Sequence, residues 1–262
     1  MKIPKKTNQK DIQNFFIKIG LGRLINLSNS NNKKFIDERR QKNPQPPDLN
    51  DLYYLYQFII LNKRTTVLEF GCGYSSLIMH FALKENERKY GPIKPFERCE
   101  FPYHLFSVDN QKKYIKIAKT RILKYSIKKP KVNFFYSKAK MVLFNSNFAV
   151  EYCKLPKVNP DFIYLDAPNQ WGAQGDVNNF NTAHPDMMPM SCDIIKFENY
   201  LTPGTIIVAD GRVANSLFLK NNFKRNWIFK IDRERDQCYF YLNDPYLGTH
   251  NKKQLEFYKK KI

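Results

Sequence analysis

Four acidic residues have the spacing to do chemistry in this sequence: Glu69, Asp109, Asp166 and Asp210, each closing or following a short apolar run. Glu69 lies in Thr65-Thr-Val-Leu-Glu-Phe-Gly-Cys-Gly-Tyr-Ser-Ser76. Thr65 to Leu68 is β-branched and apolar, as a buried strand requires. Gly71-Cys72-Gly73 turns tightly into Leu77–Leu83, which reads as a helix. Strand, glycine turn and helix start together present backbone N–H groups and a positive dipole end to a small ligand. A carboxylate beside that turn repels a pyrophosphate and suits a ligand with hydroxyl or cationic groups. The bland alternative is a structural strand–turn–helix with incidental glycines.

The other acids need elements to bring them to the same edge. His104–Asp109 reads as a second strand, and an acid at its carboxyl end falls where α/β nucleotide folds hold a ribose. Asp109 also precedes a helix and could simply cap it. Asp161-Phe-Ile-Tyr-Leu-Asp166-Ala-Pro168 is a further apolar strand ending in an acid, and Thr205–Gly211 repeats the pattern with Asp210. Between them, Asp48 reads as an N-cap, with Leu49, Leu52, Tyr56, Ile59 and Ile60 on one helical face. Gln111–Tyr125 reads as a basic amphipathic helix with Ile115, Ala118, Ile122 and Tyr125 inward. Lys128–Lys131 reads as a turn and Val132–Tyr136 as a strand; residues 141–159 allow a helix or a short hairpin. Ser191 is expected to cap a helix carrying Ile194, Phe197 and Leu201, and Asn215–Phe223 makes another. Trp227–Ile231 and Gln237–Leu242 flank a charged turn, which implies an antiparallel hairpin at the sheet edge.

Two long connections stand out. Gly73 to Asp109 spans 36 residues, against roughly 20 in a compact unit, so residues 84–103 are expected to be a surface excursion acting as a lid or an oligomer contact. Asn169–Met190 holds Trp171, His184 and three methionines, a composition suited to a lid over a small, partly apolar acceptor. His184 is the one histidine near the presumed site and so the general-base candidate, against the bland reading of a bystander.

The glycine-turn segment resembles motif I of the class I S-adenosylmethionine (SAM) methyltransferases, hydrophobic-hydrophobic-acid-x-Gly-x-Gly. Asp161–Pro168 is similar to their motif IV, and Leu201-Thr-Pro-Gly204 before an apolar strand resembles a late family motif. The resemblance spans roughly Asp48 to Leu242. It implies an α/β fold: a doubly wound, seven-stranded, mostly parallel sheet with an antiparallel C-terminal hairpin strand and helices on both faces. It implies SAM as cofactor, bound by Glu69, Gly71, Cys72, Gly73, Tyr74, Ser75, Asp109, Asn110 and Asp166. Ser137-Lys138-Ala139-Lys140 stands where many members place an acid against the adenine. Asp-Ala-Pro-Asn replaces the Asn-Pro-Pro-aromatic tetrad of many amino-group methyltransferases. Asp166 and Asp210 match two of the three cation ligands of the catechol-type O-methyltransferases, while Gly211 stands at the third. Two carboxylates plus waters could hold Mg²⁺, with Asp166 then catalytic alongside His184. The expected function is methyl transfer to a small-molecule or sugar-like acceptor at oxygen. An RNA methyltransferase and a non-catalytic or NAD-binding protein on a similar sheet are the alternatives.

Composition bounds the rest. A chain of 262 residues accommodates one α/β domain with trimmings: a basic extension over 1–47, the methyltransferase-like domain over 48–245 and a basic tail over 246–262. The formal charge of +20 would suit a polyanionic partner. Lys, Asn, Ile, Phe and Tyr share A/T-rich codons, however, so the charge is weak evidence for nucleic acid. Five scattered cysteines without a Cys-x-x-Cys pair fit reduced thiols in a cytoplasmic protein. No apolar run is long enough to span a membrane, and no signal-peptide pattern follows the charged N-terminus.

Overall fold

The computed structural model describes residues 1–29, 45–92, 99–126, 129–184 and 186–260. Seven strands form the central sheet: β1 (Thr66–Phe70), β2 (His104–Asp109), β3 (Val132–Tyr136), β6 (Phe162–Leu165), β8 (Ile206–Asp210), β9 (Trp227–Asp232) and β10 (Gln237–Leu242). Their order is β3-β2-β1-β6-β8-β10-β9. Only the pairs that β10 makes, with β8 and with β9, are antiparallel. The strand order reverses between β1 and β6, so a crevice opens at the carboxyl edge where α/β sheets bind ligands. A small second sheet pairs β5 (Asn147–Tyr152), β4 (Ala139–Phe144) and β7 (Ala173–Gln174).

Helices cover both faces, and the strand residues sort by the period of two that the pleat imposes. Val67, Leu105, Tyr164 and Val208 join one core with α1 (Gln9–Lys18), α3 (Leu49–Leu61) and α4 (Tyr74–Tyr90). Ile122 of α5 (Lys112–Tyr125) packs into the same core. Leu68, Phe70, Val108, Leu165 and Ala209 join the other, with the β4–β5 hairpin, α6 (Asp193–Phe197) and α7 (Val213–Asn222). In that alternation Glu69, Asp109, Asp166 and Asp210 are all in phase with the first face. The register carries them to one edge, since Phe70 pairs with Leu165 and Leu165 with Ala209.

Several elements differ from the sequence reading. Helix α4 continues to Tyr90, so the first third of the expected 84–103 excursion is helix. Its charges are a solvated face, with Arg88 paired to Glu85, while Asn86 is buried and donates to Ile59 O and Arg64 O. Residues 93–98 of that excursion lie outside the described residues, as do 30–44 of the N-terminal extension, Lys128 of the expected turn and Pro185 of the second long loop. Cys192, not Ser191, precedes α6, because the Ser191 hydroxyl is donated to Asp193 Oδ2. Residues 139–152 resolve the helix-or-hairpin choice as a hairpin. The N-terminal basic stretch forms two helices, α1 and α2 (Arg23–Asn29); their Ile12, Phe16 and Leu24, with Leu21 from the connection between them, are buried with α3. At the C-terminal end, α8 (Thr249–Lys259) buries Tyr258 against the sheet's amino edge, where its ring stacks on the Arg64 guanidinium at 3.8 Å.

Candidate active site

Glu69 is buried completely and takes the hydroxyls of Ser75 and Ser76 at 2.5 and 2.6 Å. Ser76 Oγ also accepts from Gly73 N at 3.1 Å. Glu69 therefore holds the glycine turn to the first turn of α4 from beneath. Burial pushes its carboxyl up to about 7 against the lowering effect of those hydroxyls. The expected direct contact of Glu69 with a ligand is not what the structure places there, because Glu69 does not line the cavity. Gly71 has a φ of +95°, and a Cβ there would come within 2.9 Å of Ala167 Cβ. Glycine is needed both for that backbone and for the close approach of the loop after β6.

Above the turn lies a cavity of about 460 Å³, a size that suits a cofactor or small ligand. One half is lined by Gly71, Cys72, Gly73, Tyr74, Ser75, Asp109, Asn110, Gln111 and Tyr114. Asp109 is 4% exposed and accepts Cys72 N at 2.9 Å on one oxygen and Gln111 N at 2.6 Å on the other. An ionised carboxylate offers about four acceptor positions, and the Cys72 thiol is directed at this one too, so about one remains for a ligand hydroxyl. A ribose hydroxyl fits that position. The Cys72 thiol is held protonated by burial and by the charges of Asp109 and Glu69. Asn110 Nδ2 donates to Gly172 O at 3.2 Å, which seats the start of the 169–190 loop at the rim.

The other half is lined by Asp48, Asp51, Tyr164, Asp166, Asp210, Arg212, Arg235 and Asp236, with Gln45–Pro47 at its mouth. Arg212 Nη2 donates to Asp166 O at 2.7 Å and Pro168 O at 3.1 Å, fixing the loop after β6. Asp210 accepts Tyr164 OH at 2.6 Å on one oxygen and Gln237 Nε2 at 3.2 Å on the other, and burial raises its carboxyl. Asp51, on the first turn of α3, is pushed up to about 8 by burial, then by the charges of Asp210, Asp48, Asp166 and Asp236. Sequence reasoning missed Asp51 and Arg212. Asp51 is an acid in the first turn of a helix, a common position with no functional signal, and Arg212 directly follows Gly211.

Asp166 and Asp210 do reach the same cavity, but the donor set does not fit a divalent cation. Arg212 Nε lies 3.7 Å from Asp166 Oδ1, and Gly211 brings no side chain for a third ligand. Among the described residues no three His, Cys, Asp or Glu side chains are grouped to hold a metal. His184 is not brought to the cavity either. Its side chain is 57% exposed, with Nδ1 3.8 Å from Asp186 Oδ2. Trp171 sits beside the rim residue Gly172 but does not line the cavity. The five cysteines are free, and no described helix is long and apolar enough to cross a membrane.

This sheet order, with one antiparallel strand inserted next to the edge and a glycine turn after β1, is the class I methyltransferase fold. The SAH-bound methyltransferase PaMTH1 of Podospora anserina superposes with a TM-score of 0.51 at 13% identity, over 93% of this chain and 100% of that one. An O-methyltransferase of Bacillus cereus in complex with SAH gives 0.42 at 13%, over 92% and 93%. The SAM complex of the O-methyltransferase TomG of Streptomyces achromogenes gives 0.41 at 12%, over 93% of each. No protein-family model and no curated protein matches the sequence.

Proposed function

We propose that the protein transfers the methyl group of SAM to a small-molecule acceptor, at oxygen. The observation that carries this reading is the cavity's division into two halves. One has a glycine turn and a carboxylate with an acceptor position for a ribose hydroxyl; the other is polar and lies beyond the turn. Asp109 would hold that hydroxyl, and the Gly71–Ser75 backbone would line the amino-acid portion. When bound, SAM supplies a methyl group already activated on a sulfonium. The protein's task is then chiefly to align the acceptor in line with it and exclude water. The acceptor half has to take a proton from a hydroxyl. Asp51 lines that half, and its carboxyl is raised by burial to about 8, so its ionised form, which grows as pH rises through that value, can take the proton. Asp-Ala-Pro in place of the amino-methyltransferase tetrad supports oxygen over an adenine or glutamine nitrogen, and the O-methyltransferase likenesses agree with it without adding weight.

Calorimetry of the full chain with SAH and with NAD tests the cofactor. One SAH per chain with no heat from NAD is expected, and NAD binding without SAH binding overturns the reading. A metabolite panel with SAM, read as SAH released, then finds the acceptor. Release only with RNA would replace the small-molecule acceptor by nucleic acid.

A further inference from the structure

We propose that Arg212 excludes divalent cations from the Asp166–Asp210 pair and itself supplies a fixed positive charge in the acceptor half. The inference rests on the methyltransferase reading only for the name of that half.

The Arg212 side chain is 11% exposed, whereas that of Asp166 is 56% exposed. Its guanidinium is tied by one nitrogen to two backbone carbonyls, Asp166 O and Pro168 O. Its Nε and Nη1 are buried and make no hydrogen bond. A cation held in that way cannot swing into solvent without leaving two carbonyls unpaired. It also keeps its charge, since a guanidinium does not deprotonate in a protein. An ion bound to Asp166 Oδ1 at about 2.0–2.1 Å would lie within about 6 Å of Nε. Like charges at that range, in a half-enclosed cavity, lower the ion's affinity by about a hundredfold or more.

The second carboxylate does not offset that repulsion by itself. Tyr164 and Gln237 each donate to one Asp210 oxygen, which orients the carboxylate and leaves about two acceptor positions, too few for a cation that takes about six oxygen ligands without further protein donors. Asp48, Asp51 and Asp236 also face the cavity, but Asp51 is raised to about 8 by burial and then by its acidic neighbours, so it adds little negative charge at neutral pH. The consequence for the reaction is specific. An acceptor here is not selected by chelation through two adjacent oxygens, and its proton leaves to a side chain.

Manganese titration followed by electron paramagnetic resonance tests this on the full chain, with and without SAH. The wild type should leave Mn²⁺ free up to about 1 mM. Arg212→Ala should bind at least tenfold tighter, and Gly211→Asn with Arg212→Ala tighter still. Arg212→Gln keeps a donor for the two carbonyls while removing the charge, so it reads the same effect if Arg212→Ala fails to fold. One Mn²⁺ per wild-type chain at micromolar concentration, lost in Asp166→Asn, would overturn the proposal. So would Mn²⁺ affinities in both Arg212 variants equal to that of the wild type. Failure of SAH to bind any form would instead count against the methyltransferase reading, since the titration without SAH still decides the role of Arg212.

Discussion

Strand β6 has an aspartate just before it and another just after it, and their surroundings are opposite. Asp161, at the amino edge, is 3% exposed. It accepts Thr65 N at 2.9 Å, Thr66 N at 3.0 Å, the Thr65 hydroxyl at 2.9 Å and the Tyr258 hydroxyl at 2.7 Å. Arg64 Nη1 donates to Gly204 O at 2.8 Å beside it. Five residues on, Asp166 has a side chain that is 56% exposed and faces a cavity. One acid has its acceptor positions filled by the chain; the other stands at the cavity wall beside the Arg212 guanidinium. A strand-end carboxylate becomes a site only where the edge around it is open, and here α8 and the start of β1 close the amino edge.

The largest effect should come from breaking the closed side. Asp161→Ala leaves two buried backbone N–H groups and the Tyr258 hydroxyl without an acceptor, at about 1–3 kcal/mol each before relaxation. Chemical denaturation should show a loss of about 3 kcal/mol or more, with SAH affinity of the folded protein unchanged. Asp166→Ala should change stability by less than about 1 kcal/mol. Equal losses from the two substitutions would dissolve the contrast.

Within the open edge, the two halves of the cavity should separate next. Asp109→Ala is expected to weaken SAH binding at least tenfold, about 1.4 kcal/mol, because it removes the acceptor position assigned to the ribose. Unchanged affinity by calorimetry would end that assignment. Asp51→Asn should leave SAH affinity within about twofold.

The sheet was legible because buried strands announce themselves by apolar runs, and all seven strands of the main sheet fall where those runs lie. The hairpin at 139–152 was only half legible. Its turn is Asn145-Ser146, both with positive φ, which is the geometry of a two-residue hairpin turn without the usual glycine. The tail of α4 was not legible because residues 84–89 have no apolar face: five are charged, and the sixth, Asn86, is buried through hydrogen bonds to Ile59 O of α3 and Arg64 O just before β1. At the site, residue type gave Asp109 its place but could not say that Glu69 would be consumed by two serine hydroxyls. Nor could it show that the residue after Gly211 would turn back onto the loop after β6. Those facts depend on contacts between elements far apart in sequence.

Acidic groups held above their ordinary values make the stability of the fold sensitive to pH in a predictable direction. Asp51 is raised to about 8, and Glu69 and Asp193 to about 7, all by burial first. A raised folded-state value means the native chain holds more protons than the unfolded one, so stability falls as pH rises. The loss should begin near pH 4 and continue to about pH 8. Between pH 7 and 8 Asp51 is the main contributor among these three. Melting temperature against pH should therefore flatten above pH 7 in Asp51→Asn and keep a reduced slope below it, where Glu69 and Asp193 still contribute. A wild-type profile that is level from pH 5 to 8 would remove the grounds for Asp51 as proton acceptor.

The smallest effect is expected at His184, the residue whose chemistry looked most attractive in the sequence. Its ring lies outside the cavity, and Nδ1 accepts Asp186 N at 3.2 Å in a local turn. Its carbonyl accepts from the Gln170 side chain, so the segment is tied to the rim through backbone rather than through the imidazole. A general base must come within about 3 Å of the proton it takes, directly or through one water. The surroundings of His184 instead make it a surface residue of the loop. His184→Ala should leave kcat for the acceptor found by the metabolite panel within about twofold, where loss of a working base costs about 10²-fold or more. A drop of that larger size, with SAH affinity intact, would mean that the 169–190 loop carries the imidazole into the cavity when both ligands are bound. The open edge would then include a segment that the free protein holds aside, and the proton would leave to His184 rather than to Asp51.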